Sequence, residues 1–271
     1  TASLDPLSEE HFDILLRFAK VFDLTYTRFN DLQKAEAQAR EAKIETSLER
    51  VRSKTMAMHN SPEVGETVAV MFDELRKLGI ETYRCGIGIL DETKEMEVWA
   101  AKPDDKGKAE LIIGNLDMRM HPLLKGALDN WNNNKESYYY HLKGKDLINY
   151  FNAINKHENY PAKYNFDSLP QEIFHHDFYF KEGTLFVFTL NQLTSEDEST
   201  LKRFAGVFGQ TYRRYLDLQK AEAQAREAQI EAALERTRTQ SMIMQHSNEL
   251  DDTLRVFHEQ VLLLGIQSEF S

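Results

Sequence analysis

The sequence predicts an α+β protein: an antiparallel sheet with flanking helices, set between two long coiled-coil helices. Three observations lead there. The run Asp31–Ala42 recurs letter for letter as Asp217–Ala228, at an offset of 186 residues. Neither proline nor glycine interrupts the chain from Ser8 to Met58. Between the two copies, short alternating apolar runs are separated by polar turns, the pattern of half-buried strands.

The likeness between the copies extends in both directions. Arg17-Phe18-Ala19 returns as Arg203-Phe204-Ala205, and Leu78-Gly79-Ile80 as Leu264-Gly265-Ile266. The period exceeds the roughly 20 to 50 residues of a solenoid repeat, so it should hold a whole folded unit and its connector. The expected organisation is the last helix of a preceding unit plus a linker helix over residues 1–60, one globular domain over 61–192, an outgoing linker helix over 193–246, and the first helix of a following, truncated unit over 247–271.

Taken in order, the first element is a helix from Ser8 to about Met58, rich in Ala, Glu, Gln, Lys, Arg and Leu, all good helix formers. Leu15, Phe18, Phe22, Thr25, Phe29 and Leu32 fall at alternating three- and four-residue steps, which draws one apolar seam along it. The seam slips through Ala35, Ala39 and Ala42 and resumes in another phase at Ile44, Leu48 and Val51, the sequence form of a heptad discontinuity. That segment is either plain helix former on a solvated face or a switch point. A long helix with an exposed seam is marginal alone, so a parallel homodimer is expected along Leu15, Phe18, Phe22, Phe29, Leu32, Ile44, Leu48 and Val51.

Ser61-Pro62-Glu63 then reads as a helix start, with Ser61 as cap, and Gly79 as its stop. Tyr83–Leu90 alternates, with Tyr83, Cys85, Ile87 and Ile89 on one face and Gly86 and Gly88 on the other, where a helix or backbone could approach closely. The turn Asp91–Lys94 and a strand over Met96–Ala101 complete a hairpin. Further strands are expected at Leu111–Gly114, Ser137–Leu142, Glu172–Phe180 and Thr184–Asn191, with helices at Pro122–Asn132 and Lys145–Asn155. The outgoing helix runs from Ser195 to about Met244, with Thr194 or Ser195 as cap and Glu196, Asp197 and Glu198 favouring the positive end of its dipole.

Composition narrows the function. With 33 basic against 44 acidic residues the net charge is −11, and no basic patch forms without interleaved acids, which argues against nucleic acid as a partner. The single cysteine, Cys85, rules out an internal disulfide framework. Without an apolar membrane-length run or a signal-peptide pattern, a cytoplasmic setting without direct membrane contact is expected.

The stretch Lys181–Phe188, leading into Leu193–Asp197 and Leu201–Ala205, resembles the final hairpin and exit helix of GAF domains, relatives of PAS domains, and the resemblance covers about residues 62–215. The connector Ala35–Ser61 is similar to linkers that precede such domains in multi-domain sensor histidine kinases of Bacteroidetes type. The resemblance implies a GAF/PAS-like sheet in a dimeric, two-component signal relay with an output domain elsewhere.

The chemistry-bearing residues assemble no reaction centre in sequence, so no enzyme and no catalytic residue is expected, although the parent could be a kinase. His59-Asn60-Ser61-Pro62 lacks the phosphoacceptor pattern His-Glu-x-x-x-Pro, and no Gly-rich phosphate loop follows. Asn155-Lys156 and Phe166 resemble part of the family's cyclic-nucleotide motif, but Pro170-Gln171 stand where Asp-Glu would be. Cys85 lacks the following His of bilin-attaching members and reads as a core thiol. His175-His176-Asp177 are strand neighbours that point to opposite faces, a poor metal set, and read as loop or strand-edge residues; no metal and no cofactor is expected. Tyr138–His141, Trp99, Phe174, Phe178 and Phe180 either fill the core or line a small-molecule pocket; Tyr139, His141 and His176 are the candidate pocket residues. The functional expectation is a sensory relay module, with a ligand-free dimerising spacer as the alternative and a cyclic-nucleotide-binding regulator behind both.

Overall fold

The computed structural model describes residues 8–58, 62–91, 93–104, 107–246 and 249–266. Helix α1 covers Glu9–Met56, capped by Ser8, whose side chain accepts from the His11 backbone N–H. It is followed by α2 (Pro62–Lys77), β1 (Arg84–Leu90), β2 (Glu95–Pro103), β3 (Ala109–Asp117), α3 (Pro122–Asn132), β4 (Ser137–Lys143), α4 (Gly144–Lys156), β5 (Glu172–Phe180), β6 (Gly183–Thr189), α5 (Ser195–Ile243) and α6 (Leu250–Leu263). The expected Ser61 cap, His59 and Glu92 lie outside the described residues. The chain divides into two compact units, Thr1–Gly209 and Gln210–Ser271, each taken by itself below.

In the first unit the six strands form one antiparallel sheet in the order β3-β2-β1-β6-β5-β4. Both faces are covered, which is why β6 is buried at every position. The alternation in β1 sends Cys85 and Ile87 to the face covered by α2, and Arg84 to the opposite face. Under that opposite face Leu90, Val98, Ile112, Phe186 and Phe188 pack with α3 and α4 through Leu124, Ala127, Tyr150 and Phe151. The predicted α+β class with an antiparallel sheet and flanking helices is what the structure has.

Two helix ends show how local sequence sets these elements. Pro122 stands in the first turn of α3, and His121 before it accepts the Leu123 N–H at 3.2 Å through Nδ1. At the start of α5, Thr194 Oγ1 accepts the Asp197 N–H at 3.1 Å while the Asp197 carboxylate takes the Thr194 hydroxyl at 2.7 Å, a reciprocal cap.

The expected dimer seam needs correction in its second half. Ile44, Leu48 and Val51 are buried within the single chain, because this stretch of α1 packs on α2; they are core and not surface left for a second copy. There the buried carboxylate of Glu74 in α2 accepts from Ser47 at 2.8 Å and from Arg50 at 3.1 Å on α1, and from Lys77 at 2.6 Å. Leu15, at half burial, and Phe18, Phe22, Phe29 and Leu32 lie in the part of α1 that stays largely open.

In the second unit the end of α5 and α6 repeat this local geometry. Arg236 donates to Gln260 at 3.1 Å, the pair equivalent to Arg50 and Glu74 at the 186-residue offset. Gly79 and Gly265 both end their helices in the left-handed region, at φ 81° and 77°, followed by the same backbone bonds from Ile80 to Leu75 and from Ile266 to Val261. Such a φ favours glycine because a Cβ would be strained there. Among the described residues, no helix is long and apolar enough to cross a membrane.

Candidate functional site

Strand register places the polar residues of the sheet in rows. Arg84 on β1, Phe188 on β6 and His175 on β5 are direct neighbours across the strands, and Gly86, Phe186 and Asp177 form the next row. Every second residue faces one way, so His175 and Asp177 point together under α3 and α4 while His176 points to the other face. The expectation that these neighbours diverge holds, but they are neither loop nor strand-edge residues. β5 lies between β4 and β6, and all three are buried to within 4%.

The predicted pocket residues come together without enclosing a pocket. Tyr139 is opposite His176, and His141 opposite Phe174. The Tyr139 and His176 rings are 5.0 Å apart, and His141 stacks on Phe174 at 4.4 Å while its Nε2 meets Glu172 at 2.8 Å. Tyr139 remains 45% exposed. His176 is held neutral by burial, which with the neighbouring His175 lowers its pKa to about 4. This is a packed aromatic ladder at one side of the sheet, open to solvent at Tyr139.

A small cavity lies on the opposite face. Arg84, Tyr150, His175, Asp177, Phe186 and Phe188 line it with Met96, Val98, Leu116, Met118, Leu124 and Ala127. Its free space is about 10 Å3 for the centre of a water-sized sphere, close to what one water needs. Of the two glycines expected to admit a helix or backbone, Gly86 does so, since a Cβ there would meet the Trp99 carbonyl oxygen, whereas one on Gly88 would strike a side chain, the Met96 thioether.

Arg84 is the unusual member. It is 3% exposed, and Nη1 donates to the hydroxyls of Tyr164 at 2.9 Å and Tyr160 at 3.3 Å, while Nη2 donates to Tyr150 at 2.7 Å. The guanidinium lies 4.2 Å from the centre of the Phe188 ring, a favourable cation–π distance. Burial works against its charge, but the surrounding phenol oxygens of Tyr150, Tyr164 and Tyr160 outweigh it and hold the pKa well above the usual arginine value. Among the described residues no carboxylate pairs with it.

Beside it runs a second polar chain. Thr184 Oγ1 donates to Asp177 Oδ1 at 2.9 Å, and Asp177 Oδ2 meets His175 Nε2 at 2.6 Å. A carboxylate only accepts, so this contact assigns the imidazole proton to Nε2 and leaves Nδ1 as a bare acceptor in the neutral ring. That Nδ1 is buried and has no hydrogen-bond partner. The pair has the base and orienting carboxylate of an acid–base couple, but no Ser, Thr or Cys bonds to the free nitrogen among the described residues. Cys85 is on the other face. The arrangement can bind and orient a polar molecule; a nucleophile for covalent chemistry is not part of it.

Sequence reasoning missed Arg84, Tyr150, Tyr160 and Tyr164. The available signal was a charged residue at an inward position of an alternating strand. The tyrosines come from α4 and the loop after it, where Asn155 clamps Tyr164 through both its backbone N–H and its carbonyl, each at 2.8 Å. Nothing in spacing alone ties that loop to β1. Among the described residues, no group of three His, Cys, Asp or Glu side chains has metal-site geometry.

A family model described as the UvrA DNA-binding domain matches residues 110–229. That span is less than half of the chain; it opens inside β3 and ends partway along α5. No curated protein matches. Among solved structures, the chain is similar to the GAF domain of an Acinetobacter phosphoenolpyruvate-protein phosphotransferase, at 11% identity over 62% of this chain and 93% of that one, with a TM-score of 0.35. It is also similar to the A. aeolicus nlh2 GAF domain in an inactive state, at 7% identity over 64% and 98%, TM-score 0.39. A putative GAF sensor protein from Burkholderia vietnamiensis matches at 11% identity over 64% and 98%, TM-score 0.37. Likenesses at this level assign no function, and the fold rests on the strand order and packing described above.

Proposed function

We propose that the chain is a GAF-like sensory relay unit: a non-catalytic, ligand-responsive α+β body carried between two long helices in a multi-unit cytoplasmic signalling protein. The observation that carries this reading is the shared anchorage of the two helices on one body. Leu201, Phe204 and Phe208 in the first turns of α5 are fully buried, and Arg203 there bonds Glu41 at 2.8 Å and Glu45 at 2.5 Å on α1. A change in the body therefore reaches the incoming and outgoing helices together, and packed helices of this kind switch between discrete arrangements. The output would be a histidine kinase or related domain, reached through the repeated Asp217–Ala228 segment. Nucleic acid has no place in this reading, since the net charge of −11 disfavours phosphate contact.

The exposed apolar face of α1 has two candidate occupants, and one experiment separates them. The first is a second copy of the chain in a parallel homodimer through Leu15, Phe18, Phe22, Phe29 and Leu32. The second follows from the repeat: Leu15, Phe18 and Phe22 stand where Leu201, Phe204 and Phe208 stand one period later, so the face would cover the sheet of a preceding unit. Sedimentation equilibrium of the chain, beside a Phe18→Glu, Phe22→Glu variant, decides. The homodimer predicts a two-chain mass that becomes one chain in the variant, with the same thermal unfolding of the body. A single-chain mass for both proteins removes the homodimer and leaves the preceding unit as occupant.

A further inference from the structure

The small cavity under α3 and α4 has two complementary deficits. Arg84 is a buried cation with guanidinium N–H groups beyond those given to Tyr150, Tyr160 and Tyr164, and among the described residues no carboxylate bonds it; Asp177 lines the same cavity but is bonded to His175 and Thr184. The phenols favour its charged form through their hydrogen bonds, but as neutral groups they bring no opposite formal charge. His175 Nδ1 is the other deficit: a buried nitrogen without a partner, and a bare acceptor in the tautomer that carries its proton on Nε2 toward Asp177. The unpartnered nitrogen is costly where it stands.

The two deficits share one wall. Arg84 and His175 are both register neighbours of Phe188, one on each side; the guanidinium is 4.2 Å and the imidazole 4.5 Å from the centre of its ring. A molecule lying over Phe188 reaches both. It must offer negative charge at one end, for the planar fork that Arg presents to carboxylates, and an O–H or N–H donor near the other.

We propose that this cavity is the receptor site for a small carboxylic acid bearing a nearby hydroxyl or amino group, with the carboxylate on Arg84 and the donor on His175 Nδ1. The inference rests on the sensory reading above and names the chemical class of its ligand. The cavity as it stands has room for about one water, so the ligand is admitted only as the roof formed by Leu124 and Ala127 of α3 and Tyr150 of α4 moves outward. A ligand that binds the open arrangement better than the closed one shifts the population between them, which is what a sensor requires.

The test is calorimetric titration of the whole chain with L-lactate, L-serine, acetate and lactate methyl ester, on the wild type and on Arg84→Met and Tyr164→Phe. The expected result is binding of lactate or serine, at least tenfold weaker binding of acetate, and no binding of the ester. Arg84→Met should lose at least tenfold in affinity. Tyr164→Phe removes one phenol from the guanidinium and should bind the acid as well as or better than the wild type. Because Arg84→Met leaves a hole among aromatic rings, its fold is checked by circular dichroism; should it not fold, the ester comparison and Tyr164→Phe decide alone. No binding of either acid, equal binding of the ester, or an affinity unchanged in folded Arg84→Met overturns the proposal. The mass measurement on α1 is made without ligand, so a failed ligand class and a failed homodimer are read separately.

Discussion

Glu74 concentrates much of the electrostatics that fasten α1 to α2. Burial would raise its pKa, but the hydrogen bonds from Lys77, Ser47 and Arg50 outweigh that and hold the carboxyl below its ordinary value of 4.5. A carboxylate depressed in the folded state contributes stability that is full above its unfolded pKa and is lost as the pH falls through the folded one. Denaturant unfolding at a series of pH values should therefore show wild-type stability declining below about pH 4.5. Glu74→Gln should lose about 2 kcal/mol at pH 7, the scale of hydrogen bonds to a buried charged group, and show a shallower acid decline. A variant with the same stability and the same acid slope as the wild type would mean the contacts are incidental. Single residues were also the least legible scale in the sequence. Nothing in the sequence marks Glu74, because its three partners lie on both sides of the α1–α2 junction. His176, read as a loop or strand-edge histidine, is neutral and buried because β6 pairs beyond β5, a topological fact that local pattern does not carry.

Elements were far more legible, for reasons visible in particular places. α3 begins where Pro122 fixes φ and His121 supplies the cap, and both signals are local. β5 spans its expected Glu172–Phe180, its length fixed by pairing with β4 on one side and β6 on the other. β3 runs longer than its expected Leu111–Gly114, spanning Ala109–Asp117, since a partly exposed edge strand carries polar residues that hide its ends; full pairing with β2 defines it instead. At the start of α5 the reciprocal cap of Thr194 and Asp197 gives a direct prediction. Thr194→Ala should destabilise the first unit by about 1 kcal/mol, read as a lower denaturation midpoint, whereas Ser195→Ala should change little. The reverse ranking would assign the cap to Ser195.

Over the whole molecule, the repeat gives matched pairs of identical residues in different surroundings. Phe204 is fully buried and its counterpart Phe18 is 70% exposed, although both stand between arginine and alanine. Phe204→Ala should cost about 3–5 kcal/mol through lost burial and a cavity, while Phe18→Ala should fall within about 0.5 kcal/mol for a single chain. Equal losses would mean that α1 is covered in solution after all. The seam expected from periodicity failed in the same way at Ile44, Leu48 and Val51: a three-four spacing reports that a face must be buried, and is silent on whether a second chain or the chain's own α2 buries it. The sheet face covered by α2 holds one thiol. Cys85 is the only cysteine in the sequence, and its burial there pushes the thiol up to about 12. Only a thiolate reacts readily with alkylating reagents, so the folded protein should be silent to them until the sheet parts from α2. The speed of modification at this single sulfur then clocks the opening of the body, and cysteines introduced along α1 or α5 for spectroscopic tags would be seen without background.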